Sequence, residues 1–146
     1  MRGFDGLSAR SRQLRFFSPL NGLSNAQLTY LTEIDNVNHV AIAAFVEKDG
    51  DTTPVGLARY IRLAQEPQVA EFAITVVDAF QGRGVGSSLL AALMDHARGN
   101  GVGVLRGYVL SANEPMIRML QRRGAHATAE ADGTLRFDLR LRKQNT

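Results

Sequence analysis

Hydrophobic and polar positions alternate most regularly from Val69 to Val77. Glu71, Ala73, Thr75 and Val77 fall on one side of an extended chain, and Ala70, Phe72, Ile74 and Val76 fall on the other. That two-residue period predicts a strand. Upstream, Val40 to Val46 is apolar almost throughout, Lys48 to Thr52 with Gly50 reads as a turn, and Val55 to Leu63 resumes in extended character, which predicts a hairpin. Pro67 lies in the next connection. Downstream the period lengthens. Leu89, Leu90, Leu93, Met94 and Ala97 recur at helical spacing within Ser87 to Arg98, and Gly99 or Gly101 can close that helix. The stripe reads as core. Val102 to Leu110 predicts a buried strand, and Asn113 can cap a second helix that has Pro115 in its first turn and ends near Gly124. Ala125 to Ala129 and Thr134 to Leu141 flank Asp132-Gly133, a hairpin signal. At the other end, Ser24 can cap a helical run containing Leu28 and Leu31, and the tail from Lys143 to Thr146 reads as unstructured. The predicted order is helices followed by ββ(β)αβαββ, an α/β domain with a mixed sheet.

Composition adds limits. At 146 residues and 45% hydrophobic content the chain can bury one core and is short for two domains, so residues 1–146 read as a single domain. The absence of cysteine excludes disulfides, thiolate zinc sites and a cysteine nucleophile together. No apolar run approaches the roughly 20 residues of a membrane span, and the N-terminus lacks the apolar stretch of a signal peptide. A cytoplasmic protein with no membrane partner is expected. The net charge of +3 comes from scattered arginines with no aromatic-interleaved patch, which argues against nucleic acid. His39, His96 and His126 have no metal-ligand spacing, so no metal is expected.

The remaining chemistry centres on QGRGVG, Gln81 to Gly86, between the Val69 strand and the Ser87 helix. Without side chains on Gly82, Gly84 and Gly86 the backbone can turn several N–H groups toward an anion, with the positive end of the next helix behind them. A P-loop would need Lys and then Ser or Thr after its last glycine, whereas Gly86 is followed by Ser87 and Ser88. A dinucleotide fingerprint would need an acidic residue about 20 positions farther on, and Gly101 to Arg106 has none. An ordinary glycine-rich strand-to-helix turn remains open on these residues alone.

Gln81, Gly84 and Gly86 also resemble the acetyl-CoA signature of the GCN5-related N-acetyltransferases (GNAT), a Gln or Arg followed three and five residues later by Gly. The resemblance covers about Leu7 to Leu141. SRQLRFF at Ser11, DNVNHVAIAAF at Asp35, GLARYIR at Gly56 and AEFAITVVDAFQGRGVG at Ala70 are similar to the bacterial branch of protein lysine acetyltransferases that modify acyl-CoA synthetases. The fold this implies is a three-layer GNAT-like one, a central mixed sheet flanked by helices. Members begin with an additional edge strand for which this chain has no room ahead of Gly6-Leu7-Ser8, so the first edge strand is expected to be missing, or the start to be truncated. A bare edge would invite dimerisation.

The resemblance further implies acetyl-CoA as cosubstrate and a protein lysine as acceptor, with an AMP-forming acyl-CoA synthetase as the partner of choice. A small-molecule amine, or a CoA-binding regulator with little turnover, are the alternatives. It places Gln81, Gly82, Arg83, Gly84, Val85, Gly86 and Ser87 on the pyrophosphate, and Asn113 on CoA or pantetheine, where capping a helix is an equally good role. The backbone amide of Val76 or Val77 would steady the thioester oxygen. Glu71 matches the family's catalytic glutamate and would take the proton from the amine, its carboxyl lifted by burial beside Phe72 and Ala73. A strand glutamate paired with an arginine is the plainer role for it. His39, four residues after Asp35, could line the acceptor side, with structural packing the plainer role for both. Many relatives carry a Tyr acid where Met119-Leu120 stand here, which leaves Tyr108 or Tyr60 as substitutes.

Overall fold

The structure is a computed structural model that describes residues 11–12, 17–19, 27–36 and 38–141, with side chains described from residue 38 on except Lys48. Its strands are β1 (Ser11–Arg12), β2 (Phe17–Pro19), β3 (Gln27–Asn36), β4 (His39–Lys48), β5 (Asp51–Arg62), β6 (Val69–Val76), β7 (Val104–Leu110), β8 (His126–Ala129) and β9 (Thr134–Arg140). Two helices, α1 (Val85–Gly99) and α2 (Glu114–Arg122), interrupt them. The nine strands form one sheet in the order β1-β3-β4-β5-β6-β7-β9-β8, and β2 also pairs with β3. β6 and β7 are parallel and the other pairs are antiparallel. The expected α/β class with a mixed sheet holds.

The alternation seen in the sequence sorts the two faces. Val40, Ile42, Ala44, Ala58, Tyr60, Ala70, Phe72, Leu105, Phe137 and Leu139 join Leu89, Leu90, Leu93 and Ala97 of α1 and Leu120 of α2 in one buried cluster. Along β5 and β6 the intervening Leu57, Arg59, Ile61, Glu71, Ala73 and Thr75 are exposed. A polar clamp ties the far end of this core. Arg62 donates to the carbonyls of Pro67 and Asn100, and Asn100 Nδ2 donates to the Tyr60 hydroxyl at 2.6 Å. Burial pushes that phenol above its ordinary pKa.

One expectation is corrected at the N-terminal side. Leu28 and Leu31 lie on a strand, β3, where their spacing predicted a helix. Thr29, Tyr30, Thr32 and Ile34 favour extended backbone, and β3 pairs along β4 from Gln27↔Glu47 to Asn36↔His39. The long ladder outweighs a single helical spacing. β3 covers that side of β4, and the stretch ahead of Gly6-Leu7-Ser8, where the first edge strand was expected to be missing, lies outside the described residues. Ser24, and the tail from Lys143 to Thr146, lie outside the described residues.

Candidate active site

A fork in the sheet makes the site. β6 and β7 pair only through Val69–Glu71 and Val104–Arg106. Beyond that point β6 continues against β5 and β7 continues against β9, with no pairing between them. Phe72 and Gly107 stand at the parting. A Cβ on Gly107 would come within 2.7 Å of the Phe72 ring, so a glycine lets that buried ring lie against the β7 backbone.

Beyond the fork, the amides of Ile74 and Val76, which share one ladder phase, have no β7 partner. In an antiparallel ladder, residues alternate between bonding their partner and turning their N–H and C=O the other way. Val77 N–H donates to the Val55 carbonyl at 2.9 Å, which spends it in the sheet. Val76, opposite Gly56, is one step out of phase and turns its polar groups toward the gap left by β7. Its carbonyl accepts from Gln81 Nε2 at 3.2 Å. Its N–H faces the gap. Of the two amides expected from the sequence, Val76 supplies the available donor.

The glycine loop reaches the same gap after a single 3-10 turn, Asp78–Phe80. Gly82 and Gly84 take φ of 78° and 89°, in the left-handed region that glycine adopts without a Cβ penalty. Gly84 caps α1 with no side-chain hydrogen bond, and the turn closes with Ser88 N–H donating to the Gly84 carbonyl at 3.0 Å. The N–H groups of Val85, Gly86 and Ser87 therefore have no partner within the helix and lie at its positive end. Here the sequence pattern and the backbone agree.

Loop, fork and α2 enclose a cleft of about 530 Å³. Val76, Gln81, Gly82, Gly84, Gly86, Ser87 and Asn113 all line it. Asn113 also caps α2, its Oδ1 accepting from Met116 N–H at 3.4 Å. Arg83 does not line the cleft, and its Nε donates to the Ala79 carbonyl at 3.4 Å. Val85 puts its side chain into the core and can serve only through its amide. Ile74, Thr75, Phe80, Pro115, Met116, Met119 and Arg122 complete the lining. Of the two later-helix arginines that the sequence offered for CoA phosphates, Arg118 and Arg122, only Arg122 lines the cleft, and the sequence signal for Met116 is its placement on the helix that Asn113 caps.

Glu71 is exposed and does not line the cleft, so the burial expected beside Phe72 is absent: Phe72 turns into the core on the opposite face. Thr75 lies on the face of Glu71 and marks where the cleft reaches it, four residues and roughly 13 Å along the strand. Met119 stands in the cleft wall where the resemblance places a Tyr acid. Tyr60 is buried in the clamp and Tyr108 is exposed outside the cleft, so neither substitutes. His39 lies on β4, His96 on α1 and His126 on β8, and among the described residues no group of three or more His, Cys, Asp or Glu side chains could hold a metal. No described helix is long and apolar enough to cross a membrane.

Comparison with known proteins points one way. A model of the acetyltransferase (GNAT) family matches residues 11–125. Acetyltransferase PA5475 of Pseudomonas aeruginosa is 36% identical over 110 residues, 75% of this chain and 59% of that protein. Acetyltransferase Pat of Mycolicibacterium smegmatis is 37% identical over 112 residues, 76% of this chain and 33% of that protein. The chain thus spans well under two thirds of either relative. Among solved structures, the GNAT domain of S. lividans PAT superposes with a TM-score of 0.64 at 32% identity, over 75% of this chain and 64% of that one.

Proposed function

The chain belongs to the acetyltransferase (GNAT) family, and on that premise we propose that it moves an acetyl group from acetyl-CoA directly to a protein lysine. The observation that carries the reading is the meeting, in one cleft, of Gly86 and Ser87, whose amides lie unpaired in the first turn of α1, with Val76, whose amide faces the fork. The donor set fits CoA. Two left-handed glycines bring the α1 amides to an anion, Arg122 adds a cation to the wall, and Ile74, Phe80 and Met116 offer apolar surface to a pantetheine arm.

Bound acetyl-CoA supplies an acyl group already activated as a thioester. The chain's residues do the rest. The N–H groups of Val85, Gly86 and Ser87 hold the pyrophosphate, and Val76 N–H donates to the carbonyl oxygen as negative charge gathers there. Glu71 removes a proton from the acceptor ammonium, through water along the roughly 13 Å between it and Thr75. The nitrogen lone pair forms the new C–N bond, the C–S pair leaves with sulfur, and the second proton shed by the nitrogen passes to solvent. Met119 has no proton to give, so in this reading sulfur departs as the thiolate, with no acid from α2.

A protein lysine is favoured as acceptor by the resemblance of the segments at Ser11, Asp35, Gly56 and Ala70 to the protein lysine acetyltransferase branch and by the exposed sheet face around Glu71, which a folded partner can approach. An AMP-forming acyl-CoA synthetase is the acceptor to try first, and residues 1–146 act as one cytoplasmic acetyltransferase domain in the same reading. The test is the intact mass of such a synthetase after incubation with acetyl-CoA and the native chain or its Glu71→Gln variant. Acetylation by the native chain, falling by roughly 10²- to 10⁴-fold in the variant with acetyl-CoA binding retained, is expected. Equal transfer by both would remove Glu71 as base. A small amine acetylated well while protein lysines stay untouched would replace the acceptor.

A further inference from the structure

The parity that leaves Glu71 on the open face builds a row there. His39 on β4, Ile61 on β5, Glu71 on β6, Arg106 on β7, Asp138 on β9 and His126 on β8 are successive register partners. Glu71 thus stands between an exposed Ile61 and Arg106, at the last paired position before the fork. Opposite charges facing each other across a ladder ordinarily pair.

Here they do not. Arg106 Nε donates to Asp138 Oδ1 at 2.8 Å, and a second guanidinium nitrogen donates to Oδ2 at 3.3 Å. Glu66 Oε1 lies 3.7 Å from Arg106 on a further side. With its side chain 15% exposed and both ends of the fork engaged, the guanidinium is directed toward β9. Arg136 lies 3.8 Å from the same Asp138 carboxylate. Among the described residues, Glu71 has no ion-pair partner. The Arg106 hydrogen bond holds the Asp138 carboxyl below the usual range, so it keeps its charge through neutral pH.

We propose that Asp138 is a positioning residue for the transfer reaction: by holding Arg106 in a two-point fork it keeps that cation off the Glu71 carboxylate, which stays free to accept a proton from the acceptor amine. The inference rests on Glu71 being the base. The other charged or titratable groups that bear on Glu71 are Arg59 on β5, His39 on β4, Tyr108 on β7, Arg136 on β9, His126 on β8 and Glu66 in the loop before β6. None stands next to Glu71 in the row as Arg106 does.

The test is kcat/KM for the acceptor against pH, at saturating acetyl-CoA, for the native chain and four variants, with melting and acetyl-CoA binding confirming that each folds. Asp138→Asn releases the guanidinium to pair with Glu71. The rate falls several-fold and the acid limb moves to lower pH by about half to one unit, the modest end expected for an exposed pair. Arg106→Met leaves Asp138 uncompensated and moves the limb to higher pH. The double variant removes both charges and returns the limb toward its native place.

A double variant as slow and as displaced as Asp138→Asn, or single variants that move the limb in one direction, overturns the proposal. Should Asp138→Asn fail to fold, Arg106→Lys keeps the charge without the two-point fork and is expected to move the limb down, and an unmoved limb then overturns it. The fourth variant separates the two readings. Native rates in Glu71→Gln remove the base itself, whereas a slow Glu71→Gln with unmoved limbs in the charge variants removes only the role of Asp138.

Discussion

Replacing a single backbone N–H by an ester oxygen separates two neighbouring amides that the sequence could not tell apart. Val77 N–H is held by the Val55 carbonyl at 2.9 Å, and Val76 N–H faces the gap between β6 and β7. An ester at residue 76, introduced with the hydroxy analogue of valine, leaves the β5–β6 ladder intact and removes only the donor to the thioester oxygen. Loss of one such donor costs roughly 2.7 to 4 kcal/mol in other acyl-transfer sites, so kcat is expected to fall by about 10²- to 10³-fold with little change in melting temperature. An ester at residue 77 does the reverse. It strands the Val55 carbonyl, where burial is complete, at a cost of roughly 1 to 3 kcal/mol in stability, and leaves kcat within a few-fold of native. The assay is release of CoA thiol at saturating acetyl-CoA, beside a thermal melt of each protein. A full rate in the residue 76 ester, or the kinetic loss appearing at residue 77, would refute the assignment of the donor from ladder phase.

Other outcomes follow from single contacts. Gly84→Ala forces a Cβ into φ of 89° and should cost about 1 to 2 kcal/mol of stability or pull the loop out of shape, weakening acetyl-CoA binding by calorimetry. Gly99→Ala, where an added Cβ meets nothing within 4 Å, is the control that leaves binding unchanged. Gly107→Ala drives a Cβ to 2.7 Å from the buried Phe72 ring, and a loss of roughly 1 to 3 kcal/mol by denaturant melt is expected as the fork reopens around it. In acid, Asp138 has its native carboxyl held below the unfolded value, so the unfolded chain binds the proton first. Its contribution to stability is complete above about pH 4 and is lost as pH falls through the lower native value, and melts of Arg106→Met against pH should show that loss removed.

Much of the site was legible because its parts are local. The two-residue period of β6 put Glu71 and Thr75 on one face and Phe72, Ile74 and Val76 on the other, as the structure has them. The left-handed conformations at Gly82 and Gly84 follow from residues that alone take them cheaply, and Asn113 caps the helix its side chain suits. The N-terminal side was misread for the opposite reason. Leu28 and Leu31 have helical spacing, and their strand exists through nine residues of pairing with β4, a partner no local pattern names.

Sequence by itself therefore determined the order of most elements, the faces of the central strands and the loop that can hold an anion, because each depends on neighbours within one turn or one strand. Tertiary structure alone decided which amide is free, since that depends on where β7 stops pairing with β6 and on the phase of the β5 ladder. It also decided that Glu71 is exposed, that Met119 closes the cleft, and that Arg106 spends its charge on Asp138, 32 residues away. Those outcomes rest on contacts between distant segments, and a charge or an amide has no assigned partner until the fold brings one within hydrogen-bonding reach.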